Sequence, residues 1–168
     1  VIGGYKNGPG MQAKFNEPVG VAVDASGTVL VADSRNAAVR MVSPTGFVSS
    51  LASGPVPGFD DGAGSLASFE NILDGVVDSK GNVFVVDSGN NAIRKVSPEG
   101  LVSTFTTMPS PRSIAIDGAD NLYVTHGQAI TKISPAAAAT TLAVGTRHDP
   151  CCAFDPMTFD GPRGITVD

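Results

Sequence analysis

Apolar positions fall in short runs of about five residues separated by turns, and the runs recur along the chain. Residues 19–24 read VGVAVD, and the figure returns as LDGVVD at 73–78, RSIAID at 112–117 and RGITVD at 163–168, with the aspartates 54, 39 and 51 residues apart. Each of the first three is followed by a second run: TVLVAD at 28–33, NVFVVD at 82–87 and NLYVTH at 121–126. A third run follows (AVRMVSP at 38–44, AIRKVSP at 92–98, AITKISP at 129–135), then a weaker fourth at 47–51, 101–105 and 140–144. Runs of this length read as strands, and no interval holds ten residues of helical periodicity. Four short strands per unit, joined by tight turns, predict an all-β fold: a β-propeller of four-stranded antiparallel blades. Apolar residues on both faces of each strand suit sheets sandwiched between neighbours. Small residues on the first run (Gly20, Ala22, Ala115, Gly164) suit strands that converge on an axis.

The turns agree. Residues 24–27 (DASG) and 78–81 (DSKG) put Asp where its carboxylate caps a type I turn and Gly where φ must be positive. The third copy carries Asp120 at the glycine position, which the left-handed region tolerates. Residues 43–46 (SPTG) and 97–100 (SPEG) repeat the logic with Pro fixing φ, whereas 134–137 (SPAA) has lost its Gly and the third unit is two residues shorter.

Counting strands predicts three complete blades plus partial blades at both ends. Residues 1–14 end a preceding blade, 15–53 form a blade, 54–68 connect, 69–110 form a blade, 111–158 form a blade with a long loop, and 159–168 begin the next. Residues 4–10 (GYKNGPG) align with 58–64 (GFDDGAG) at the same offset of 54. Propellers close with four to eight blades, so further blades are expected elsewhere in the polypeptide or in a partner chain. Produced alone, the 168 residues are expected to expose apolar sheet faces and unpaired strand edges and so to be aggregation-prone or unstable.

Composition narrows the classes. With 42% hydrophobic and 16% charged residues, the chain is neither disordered nor coiled coil, and Gly 20 with Pro 12 suits a turn-rich fold. No apolar run approaches the length of a membrane span. A net charge of −5 with scattered Lys and Arg argues against nucleic acid as partner. Cys151 and Cys152 are adjacent and are the only two. A vicinal disulfide, pairing elsewhere and free thiols all remain open for them.

The pattern FxxPxGVAVD, then GxVxVAD-S, NxAVR and SPxG, resembles NHL repeats. Residues 15–53 and 69–105 match best and 111–144 more loosely, and the 58–69 linker resembles the long connection of many such repeats. The resemblance implies a propeller of about six blades, commonly attached to other domains. It leaves function open, since relatives include protein-interaction modules, RNA-binding domains, sensor domains and a metal-dependent lyase.

Candidate residues concentrate on one face, where the loops leading into the first strand of each blade meet those joining the second and third strands. Val19, Asp74, Arg112 and Arg163 are read as equivalent positions there. Arg35, Asn36, Asn90, Asn91, His126 and Gln128 come from the second set of loops. Arg112 and Arg163 suit bidentate recognition of an acidic or polar partner, and the plain alternative is solvated loop residues. His126 stands where Asp33 and Asp87 stand in the other units. It reads as a ligand or proton-transfer group, or as a turn that lost its capping carboxylate, and the second reading is preferred. Asp33 and Asp87 are expected to cap turns. In the loop 145–158, Arg147, His148 and Asp149 are candidates for partner contact. Zinc at His148, Cys151 and Cys152 is set aside because adjacent cysteines do not match the usual ligand spacing. Calcium at Asp60 and Asp61 is set aside in favour of a turn.

No nucleophile elbow, phosphate loop or HExxH motif is present, and the sequence holds two histidines. The expectation is a non-catalytic interaction or structural module, without cofactor or metal and with protein partners, in a larger extracellular or cell-surface protein. The alternatives are a metal-dependent lyase-like enzyme with its catalytic residues on other blades, and an RNA-binding propeller.

Overall fold

The computed structural model describes residues 3–54, 56–145 and 164–167. Among them are fourteen strands in three antiparallel sheets and no α-helix. The first sheet contains β1 (Gly8–Pro9), β2 (Pro18–Val23), β3 (Val29–Asp33), β4 (Ala38–Val42) and β5 (Phe47–Ser53), ordered β1-β5-β4-β3-β2. The second contains β6 (Gly62–Ala63), β7 (Ile72–Val77), β8 (Val83–Asp87), β9 (Ala92–Val96) and β10 (Leu101–Thr107), ordered β6-β10-β9-β8-β7. The third runs β11 (Pro111–Ile116), β12 (Leu122–His126), β13 (Ala129–Ile133), β14 (Ala139–Val144). The inner strand β7 lies against both β2 and β11, so the sheets radiate from a common axis as propeller blades.

Two blades differ from the expected four strands by a short fifth. Gly8 pairs with Val48 and Gly62 with Val102, so the glycine-rich segments at 4–10 and 58–64 run along the outer edge of the blade that follows them. We call these segments straps. Gly64 admits the close approach that this demands: a Cβ there would stand 2.5 Å from the Leu51 carbonyl oxygen.

The turns form as their sequences predict. Asp24 Oδ1 accepts the amides of Ser26 and Thr28, Asp78 Oδ1 those of Lys80 and Asn82, and Asp117 Oδ1 those of Ala119 and Asn121. Gly27 and Gly81 take φ of 82° and 81°, and Asp120 holds the same place at 61°. The Asn121 side-chain amide, which also donates to Asp117, leads these hydrogen bonds in holding the Asp117 carboxyl down to about 2.

The core lies between blades. Leu30, Ala32 and Val39 of the first blade meet Phe69, Val83, Val85 and Val96 of the second, which is one continuous cluster. A second cluster joins Phe84, Val86 and Ile93 to Ile114, Leu122, Val124 and Ile133 of the third. Full burial of each such side chain contributes about 1.5–3 kcal/mol. Inner strands approach closely enough that a Cβ on Gly20 would stand 2.8 Å from Asp74 Cα.

Candidate functional site

Asp33 and Asp87 do not cap the turns that follow them; neither carboxylate accepts a backbone amide of the 3-10 turns at Ser34–Asn36 and Ser88–Asn90. Each is buried and paired with an arginine seven residues on, Asp33 with Arg40 at 2.8 Å and Asp87 with Arg94 at 2.9 Å. The second carboxylate oxygen accepts the amide of Asn16 or Glu70, and Asn36 or Asn90 donates to the first. The capping expectation is corrected because β3 and β4 place residues 31 and 40 directly opposite one another, which brings the guanidinium to the end of the strand.

The arginines also hold the straps. Arg40 donates to the carbonyls of Lys6 and Lys14 and to Asn7 Oδ1, and lies 4.5 Å and 5.0 Å from the ring centres of Tyr5 and Phe15. Arg94 repeats every contact 54 residues on: Asp60 and Ser68 carbonyls, Asp61 Oδ1, and the rings of Phe59 and Phe69 at 4.8 Å and 5.2 Å. Asn36 and Asn90 add a bond to the carbonyls of Gly4 and Gly58. Asp61 is therefore a counter-ion, held below its ordinary value against burial by the Thr104 amide and Arg94. Asp60 bonds Ser68.

The third blade changes both partners. His126 occupies the register position of Asp33 and Asp87, and Thr131, opposite Val124, that of Arg40 and Arg94. His126 Nε2 lies 2.8 Å from Thr131 Oγ1. Burial pushes the imidazole below its ordinary value, against a backbone hydrogen bond at Pro109 that raises it. A two-residue hairpin led by Gly127 (φ 52°) replaces the longer loops of the other blades. No strap precedes this blade. Ion pair and strap are absent together, as expected if the arginine is kept to satisfy the strap's carbonyls.

The two expected sets of loops do share a face, the upper face: Arg35 N donates to the Asn16 carbonyl, Ser88 N to Asn71 and Gly127 N to Ser110. The opposite, lower face carries the turns at Asp24, Asp78 and Asp117. One alignment is corrected. A bulge falls in each inner strand between residues 18 and 20, 72 and 74, and 111 and 113, so Val19, Leu73 and Arg112 are equivalent and Asp74 matches Gly20 and Ser113. Asp74 Oδ2 accepts Ser113 Oγ and the Ile114 amide, which joins two blades. Arg112 is exposed and makes no ion pair among the described residues. Arg35 is exposed and pairs with Glu17 at 2.8 Å. Asn91 is a brace, its carbonyl and Oδ1 accepting the amides of Met108 and Ser110.

Arg163, Arg147, His148, Asp149, Cys151 and Cys152 lie outside the described residues. Among the described residues, no group of three or more His, Cys, Asp or Glu side chains is placed to hold a metal. No helix there is long and apolar enough to cross a membrane.

The span from Phe15 to Arg40, whose ends stack on one another, matches the NHL repeat family, residues 15–40. This segment is an NHL repeat. Residues 69–94 carry the same Phe–Asp–Asn–Arg set in the same contacts, so the second blade is built as the first NHL repeat is. No curated protein matches the sequence. Among solved structures, a streptogramin B lyase shares 16% identity at a TM-score of 0.68, over 96% of this chain and 48% of that one. A gluconolactonase from Xanthomonas campestris shares 13% at 0.62, over 77% and 48%. An auxiliary nutrient binding protein from Bacteroides thetaiotaomicron shares 11% at 0.67, over 85% and 34%. The chain thus spans about half the length of the first two and about a third of the last. The likeness shows the NHL-type propeller fold, which enzymes and binding proteins both use.

Proposed function

We propose that the chain is a non-catalytic protein-interaction module in a larger propeller, and that its upper face receives an acidic segment of a partner. The observation that carries this reading is where the blades differ. Residues common to the first two blades (Asp33 and Asp87, Asn36 and Asn90, Arg40 and Arg94) are committed to internal bonds. Residues that change between blades reach solvent on the upper loops, Arg35 against Gly89, and Val19 against Arg112. A fixed frame with variable loops suits recognition. Arg112, with Arg163 at the aligned place in the sequence, supplies forked donors for carboxylates. Remaining blades would cover the apolar side chains exposed at Val21, Val23, Leu142 and Val144. The adjacent cysteines, the small residues and the few lysines favour an extracellular or cell-surface setting.

Titration of a labelled acidic peptide by fluorescence anisotropy tests the proposal. Arg112→Glu is expected to weaken binding at least about tenfold with the melting temperature unchanged. Equal affinity would overturn the assignment. The second reading, an enzyme, is favoured by the lyase and the gluconolactonase among the fold relatives. Turnover of a streptogramin B or a gluconolactone by the protein would favour it over the first.

A further inference from the structure

At the rim of the upper face, a cleft of about 400 Å³ opens where the chain leaves β5 toward the second strap, within the usual range for small-molecule sites. Its walls include Tyr5, Arg35, Ser53, Val56 and Pro57. We propose that this cleft binds a small carboxylate carried on a six-membered ring. The site belongs to the first blade and does not rest on the partner-binding reading of Arg112.

The argument begins with the second blade, which holds the same frame without the chemistry. Phe59 stands where Tyr5 stands and Gly89 where Arg35 stands. A Cβ at Gly89 would lie 2.6 Å from Glu70 Cγ and from its carbonyl oxygen, so no side chain fits there. The first blade has Asn16 in place of Glu70 and carries Arg35 at the position of Gly89. The chain then leaves β5 outward through Val56 and Pro57 to build a strap, whereas after β10 it passes directly to the next inner strand at Pro111. Ring hydroxyl, guanidinium and an apolar wall are thus brought together on the first blade.

Each group has a task. One part of the Tyr5 ring lies over Arg40, its hydroxyl is held by Ser50 and Ser53, and the residue is still 48% exposed. It is a fixed aromatic platform with an open side, suited to a flat ring. Val56, 66% exposed, supplies apolar surface across the cleft. Arg35 supplies the charge, and its present partner Glu17 forms an exposed pair of the kind that contributes little. A ligand carboxylate would take Glu17's place on the guanidinium while its ring covers Tyr5.

The probes are D-glucuronate and 4-hydroxybenzoate, with D-glucose and phenol as their neutral counterparts, titrated by calorimetry and ligand-observed NMR. At least one acid is expected to bind about tenfold or more tightly than its neutral counterpart, and which acid does so tells a sugar ring from an aromatic one. Arg35→Gly, the residue of the second blade, is expected to lose that preference. Glu17→Gln is expected to tighten binding several-fold by freeing the guanidinium. Tyr5→Leu should weaken binding of the acid, while Phe59→Leu, the same loss in the other strap, should not. Failure of both acids to bind, equal binding of acid and neutral compound, an unchanged Arg35→Gly variant, or equal effects of the two leucine variants would overturn the proposal.

Discussion

Among the described residues, Arg40 and Arg94 are fully buried charged groups, each at 0% beside an equally buried aspartate. Charge at that depth is tolerated because nearly every donor is used, leaving only the Nε atoms without an oxygen partner. Removing one partner strands the other, so Arg94→Met should cost about 3–5 kcal/mol in urea unfolding, while Arg112→Met should stay within about 0.5 kcal/mol. A loss under 1 kcal/mol at Arg94 would mean that the pair is dispensable. His126 carries a pH signature instead. Its folded value lies below the ordinary 6.5, so the unfolded chain binds the proton more readily. Stability is therefore complete above 6.5 and falls as pH drops through that value toward the folded one, and His126→Gln should remove this component from melts between pH 7 and 5. Equal acid slopes in both proteins would contradict it. Much at this scale is legible in the sequence: Asp120 stands where the other turns have Gly, and it takes a left-handed φ of 61°. The role of Asp33 and Asp87 is not, because their partners come from the next strand and from a strap, although an arginine recurring at 40 and 94 is the available sign.

At the scale of elements, strap, arginine and aspartate behave as one unit. The first two blades have all three, and the third has none. Shortening residues 58–64 alone would leave Arg94 facing lost carbonyls, so it should destabilise more than the same deletion combined with Asp87→His and Arg94→Thr, the pair found in the third blade. Additive losses, measured by denaturant midpoints, would show that the three features are independent. The strap's sequence likeness at 4–10 and 58–64 was visible, but its pairing along the outer edge was not, since two-residue strands leave no alternation to read. The place of Asp74 was legible: the aligned runs 19–24, 73–78 and 112–117 set it against Gly20 and Ser113, and the bulge at the same place in every inner strand keeps that alignment.

Over the whole molecule, the blades stack through two apolar clusters and divide their work between two faces. Repeated aspartate turns close the lower face, while strained positions gather above: Glu17, Asn71 and Ser110 all take φ of 50–56° just before their inner strands. Three non-glycine residues held in that region mark a face whose loops are fixed by their surroundings. The propeller was legible because its repeats are; the partner was not, because the residues that would choose it differ from blade to blade and no pattern constrains them. Hydrogen–deuterium exchange with and without the acidic peptide tests the central claim most directly. Protection is expected at residues 16–19, 34–37, 88–91, 108–112 and 126–128 on the upper face, with the turns at 24–28, 78–82 and 117–121 unchanged. Protection confined to those lower turns, or none on either face at saturating peptide, would contradict the account.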